Sequence, residues 1–141
     1  MNRARPLPVP DERSAPYWEA AADHVLVIAR CSRCHRFSHP PDVVCPRCRH
    51  PDPGFAFEPV SGRGTICSWI VVRQSFLPGF DDDVPFVLVD VALDVPDDIR
   101  LIGRLVDWSA ASPVAGDRVC TVFEDVATGV AVAAFALDSS S

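Results

Sequence analysis

The residues best placed to do chemistry are cysteines. Cys31-Ser32-Arg33-Cys34, then ten residues, then Cys45-Pro46-Arg47-Cys48 form two CxxC pairs. Such pairs at the ends of short strands converge four thiolates tetrahedrally on zinc, and closing the loop through metal replaces a core that about 25 residues cannot build. Iron fits the same four-thiolate geometry chemically; zinc is the expected metal. Four cysteine ligands leave no coordination position for water or substrate, so the metal is expected to be structural. His35, His39 and His50 lie close in sequence but are redundant beside four matched cysteines, and read as solvated or hydrogen-bonding loop residues. Arg30, Arg33, Arg36, Arg47 and Arg49 crowd the same stretch, either to offset the charge of a tetrathiolate or to hold an anionic group.

Elsewhere the sequence offers little reactive chemistry. Cys67 and Cys120 sit in apolar strand patterns and read as small buried hydrophobes. His24 is the one histidine outside the cysteine module, and it has no obvious nucleophile to serve. All 13 basic side chains are arginine, which excludes a lysine Schiff base or lysine general base. Asp81-Asp82-Asp83 lacks the alternating spacing of a calcium loop and reads as a solvated acidic tip.

The 141 residues suit one small domain with an appendage. No apolar run approaches the roughly 20 residues of a membrane span, and no apolar core follows the basic start as in a secretory signal. A cytoplasmic, reducing location is expected, where cysteines serve better as ligands than as disulfides. Residues 1–13, rich in proline and charge, read as a flexible tail. A short helix is predicted over 14–24, capped by Ser14, with Pro16 in its first turn and Tyr17 and Trp18 on one side.

The β-branched run Val25–Ala29 feeds into Cys31, the prolines at 40, 41, 46, 51 and 53 forbid a continuous helix, and a strand at Phe55–Val60 leads out. Residues 25–60 are thus a zinc ribbon of the rubredoxin-like type. Five strands follow at 65–73, 85–93, 100–106, 118–124 and 130–137, separated by Pro, Gly and Asp turns. The predicted fold is mainly β: helix, ribbon, then a five-stranded OB-fold barrel over 61–137, with a polar tail at 138–141. A sandwich is the structural rival.

Charge separates the two parts. Residues 1–50 hold eight arginines and five acids, net +3, whereas residues 51–141 hold five arginines and fourteen acids, net -9. Phosphate neutralisation needs clustered positive charge, so the acidic barrel argues against a nucleic-acid surface.

The ordered set of Tyr17-Trp18-Glu19, Arg30-Cys31-x-x-Cys34, Pro40-Pro41, Ser61-Gly62-Arg63-Gly64-Thr65-Ile66-Cys67-Ser68-Trp69, Gly79-Phe80 with Val84-Pro85-Phe86, and Val122-Phe123-Glu124 resembles the zinc-ribbon plus OB-fold proteins of domain of unknown function 35. The resemblance runs from about residue 14 to about residue 137. It implies an accessory, non-catalytic or co-catalytic subunit in a hetero-oligomer that transforms acyl-CoA. The implied partner is a thiolase-fold enzyme or a MaoC-like enoyl-CoA hydratase, and Tyr17 and Trp18 are implied docking residues. Where many members carry histidine at the end of the first barrel strand, this chain has Arg73, which removes an acid-base role there and leaves a phosphate or carboxylate contact. With lysine absent, Arg63, Arg73 and Arg104 are the barrel candidates for contacting acyl-CoA. The alternatives are a stand-alone acyl-CoA enzyme using a carboxylate, and a nucleic-acid-binding ribbon and OB module.

Overall fold

The computed structural model describes residues 5–80, 82–108 and 112–138; Asp81 of the acidic loop, residues 1–4 of the expected N-terminal tail and 139–141 of the C-terminal tail lie outside them. Among the described residues one helix, α1 (Ala15–Ala22), precedes eight strands: β1 (Val27–Arg30), β2 (Phe37–Ser38), β3 (Ala56–Pro59), β4 (Arg63–Val72), β5 (Phe86–Leu93), β6 (Arg100–Arg104), β7 (Arg118–Ala127) and β8 (Val130–Leu137). The fold class is the expected one, mainly β with a ribbon and an OB-type barrel.

Both ends of α1 are set locally. Ser14 occupies the N-cap without bonding the helix through its side chain. Instead its Oγ accepts from the Asp11 N–H at 3.0 Å, while its own N–H donates to Asp11 Oδ1 at 2.7 Å. This corrects the expected Ser14 cap: the reciprocal pair fixes the turn that enters the helix. At the other end, Val25 N–H reaches Ala20 O at 2.9 Å and His24 N–H reaches Ala21 O at 2.8 Å, the two bonds of a Schellman motif. His24 takes the left-handed position, φ 62°, usually given to glycine. Its ring is fixed there by Asp125 Oδ1, 2.8 Å from Nε2, and by stacking on Phe123 at 5.6 Å.

The ribbon is a three-stranded antiparallel sheet in the order β2-β1-β3. The two-residue β2 has no periodic signal in sequence and exists because it closes the first cysteine loop onto β1. The second sheet runs β6-β5-β4-β7-β8, all antiparallel. It closes where Leu105 bridges Phe135 in parallel and Val106 N–H donates to Phe135 O at 2.8 Å. That order and closure are those of an OB barrel.

Alternation on β5 is complete: Val87, Val89, Val91 and Leu93 are buried, and the residues between them half-buried. With Ile66, Ile99, Leu101, Leu105, Val119 and Phe135 they form one core, to which the ribbon side adds Leu26 and Ile28. Gly103 is required at the seam, because a Cβ there would lie 2.9 Å from the Phe135 ring. Two expectations fail on β4 and β7. A bulge between Ile66 and Ser68 turns Cys67 out to solvent, and Cys120 is only half-buried; neither is the enclosed small hydrophobe predicted.

Candidate metal centre and surrounding surface

The two cysteine knuckles are copies of one backbone design. In each, the N–H four residues after the first cysteine returns to that cysteine's carbonyl: His35 to Cys31 at 2.9 Å and Arg49 to Cys45 at 2.8 Å. Those returning residues take left-handed conformations, φ 62° at His35 and 64° at Arg49. The tight turn aims N–H groups at sulfur: Arg33 at Cys31 Sγ (3.3 Å), and Arg47 and Cys48 at Cys45 Sγ (both 3.4 Å).

The four Sγ atoms all lie within 4.8 Å of one another. The Cys31–Cys48 and Cys34–Cys45 separations are 3.9 and 3.8 Å. A tetrahedron with metal–sulfur bonds of about 2.3 Å has edges of about 3.8 Å, so the donor set fits one zinc ion held by thiolates. Burial opposes ionisation of Cys45, but the N–H groups of Cys48 and Arg47 outweigh it and hold that thiol down to about 6. Cys48 receives the His50 N–H, yet desolvation and the neighbouring sulfurs push it up to about 11. The Cys45 thiolate therefore forms readily, whereas a zinc ion held here would have to displace the Cys48 proton.

The histidines nearby serve other ends. His35 is the turn residue just described, and His50 Nδ1 accepts the Asp52 N–H at 3.0 Å. His39 is half-buried with its ring 5.3 Å from that of Tyr17, and desolvation lowers its pKa from the usual 6.5. Three of the ribbon arginines are drawn to carboxylates. Arg30 pairs with Glu58 at 3.2 Å, Arg33 lies 3.9 Å from Asp52, and Arg47 reaches across to Asp98 of the barrel at 2.8 Å.

The other predicted residues are dispersed. Tyr17 packs against the shared core, and Trp18 meets it edge-on at 5.0 Å. Arg63 is exposed beside Asp94, while Asp94 itself binds Arg118, whose guanidinium holds its carboxyl below the usual range. Arg104 is half-buried, 3.6 Å from Asp83 and 4.0 Å from Glu124, with its guanidinium 5.7 Å from the centre of the Phe86 ring. Arg73 is exposed at the end of β4 and makes no ion pair among the described residues.

Sequence reasoning missed the outward apolar residues of the barrel. Ile70 and Ile102 project from β4 and β6 at 59% and 73% exposure, and Phe76, in the loop after β4, is 94% exposed. Their signal was available: Ile102 stands between inward Leu101 and Gly103, where alternation calls for a polar residue. Among the described residues, no helix is long and apolar enough to cross a membrane.

The fold and the donor set define a class: a rubredoxin-like zinc ribbon joined to an OB barrel. Family models agree, the ChsH2 rubredoxin-like zinc ribbon domain matching residues 18–53 and the ChsH2 C-terminal OB-fold domain matching residues 57–124. The chain belongs to this ChsH2 family of zinc-ribbon and OB-fold proteins, domain of unknown function 35. It is similar to a solved structure described as an Ltp2-ChsH2(DUF35) aldolase, with 28% identity and a TM-score of 0.79 over 92% of this chain and 98% of that one. It also resembles a probable enoyl-CoA hydratase alpha subunit of Thermomonospora curvata, 32% identical over 124 residues, covering 77% of this chain. The chain spans only 37% of that relative's length.

Proposed function

We propose that this chain is an accessory subunit of an acyl-CoA-transforming complex, with a thiolase-fold or MaoC-like hydratase partner carrying the chemistry. The observation that carries the reading is the likeness, across nearly the whole of both chains, to the ChsH2 component named in an aldolase pairing. The relative described as a hydratase alpha subunit supports the same substrate class. Physically, the metal site is saturated by protein sulfur, and His24 is committed to Asp125 and Phe123 rather than to a nucleophile. The barrel offers Ile70, Ile102 and Phe76 as apolar surface for a partner. Of the three barrel arginines, Arg73 is the best acyl-CoA contact, since Arg104 is engaged by Asp83 and Glu124 and Arg63 sits beside Asp94.

Co-expression with a thiolase-fold or MaoC-like subunit from the same genome, followed by size-exclusion chromatography, tests the assembly. A stable complex is expected, weakened at least tenfold by Ile102→Asp and unaffected by Arg73→Ala. Arg73→Ala should instead raise the complex's KM for acyl-CoA. Failure of every such partner to co-elute would overturn the reading.

A further inference from the structure

OB barrels commonly take ligands on the outer face of their second and third strands, between the first–second and fourth–fifth strand loops. In this chain those are β5 and β6, the loop over 73–85 and the turn at Thr128-Gly129. That face is filled by the chain itself. Arg5 lays its guanidinium 4.8 Å from the centre of the Phe80 ring, donates from Nε to Gly79 O at 3.1 Å and pairs with Asp83. Pro6 and Pro8 complete a cavity of about 160 Å3 whose floor is Phe86, Leu88, Val126 and Val132. Residues expected to be a free tail thus lie seated on the barrel.

We infer that this face is a groove for an extended arginine–proline segment, occupied in cis by residues 5–8. The charge fixes the ligand's sign. Asp82, Asp83, Glu124 and Asp125 line the adjoining opening, and among the described residues Arg104 is the one cation there besides Arg5. Asp125 is shared with His24, Glu124 with Arg104, and Asp83 with both Arg104 and Arg5, so unseating Arg5 releases Asp83, beside Asp82, for another guanidinium. A phosphate-bearing ligand is repelled by the same groups. Aromatic rings suit both parts of the motif: Phe80 stacks the guanidinium, and prolines reach an apolar floor already extended, with little entropy to lose. The space left beneath Pro6 and Pro8 is large enough for an apolar side chain. Tethering gives the internal segment a high effective concentration, so an external segment of the same chemistry enters only when the internal one is unseated.

The test is an NMR titration of the isotopically labelled full chain with a synthetic peptide of residues 2–10. Arg5→Glu in the protein is expected to unseat its own segment and let the peptide bind at least tenfold more tightly than to the wild type. Shifts should centre on Phe80, Phe86, Leu88 and Val126. Adding Phe80→Ala should remove that binding while metal content and circular dichroism stay unchanged, and a peptide carrying Glu in place of Arg5 should not bind. In the double variant Arg5→Glu/Asp83→Arg the internal segment should reseat and exclude the peptide again. No binding to Arg5→Glu, equal binding to both proteins, or shifts away from the groove would overturn the inference.

Discussion

The ribbon and the barrel lie side by side but hold their shape by different means. From Cys31 to Gly54 the buried side chains are Cys31, Ser38, Cys45 and Pro53, and none of them joins the hydrophobic core. The barrel places ten of the twelve residues of that core, inward-facing on alternating strands and their adjoining loops. One half depends on a metal closing short turns, the other on apolar burial at about 25 cal/mol per Å2. Leu26 and Ile28, flanking and within β1, are the physical link: the ribbon's central strand is also a wall of the barrel's core. Ribbon and barrel thus share one packed wall.

The largest expected effect separates the two halves. Cys31→Ser, or chelation, should remove a metal whose binding supplies roughly 10 kcal/mol of apparent folding energy in such modules. Hydrogen exchange should then show residues 31–54 losing protection while β5 and β7 keep theirs; simultaneous loss in both halves would mean the barrel also depends on the metal. Phe135→Ala attacks the other half, where a buried ring deleted at the β6–β8 seam costs about 3–5 kcal/mol. Its melting midpoint should fall with metal content unchanged below the transition.

A smaller effect follows from His39. Burial lowers its pKa, so the unfolded chain binds the proton more readily, and stability is lost as pH falls through the ordinary value of 6.5 toward the lower folded value. His39→Phe should flatten the melting midpoint over that pH range; an unchanged slope would place the titration elsewhere.

The matched spacing of the four cysteines, and the apolar strand runs separated by proline, glycine and aspartate turns, made the metal centre and the barrel legible in sequence. What was hidden depends on long-range geometry. The bulge that exposes Cys67 arises from the register against β5, and local hydropathy carries no sign of it. The left-handed turns at His24, His35 and Arg49 use residues that give no glycine signal, and they are held by partners as distant as Asp125. The seat of Arg5 lies more than 70 residues away, at Gly79 and Asp83, so its segment shows in sequence only as proline and charge.

Whether the chain assists chemistry carried by a partner, as proposed, is decided by steady-state turnover of acyl-CoA esters. Turnover is predicted from the assembled complex, with none from the metal-loaded chain alone; robust turnover by the isolated chain would contradict the account.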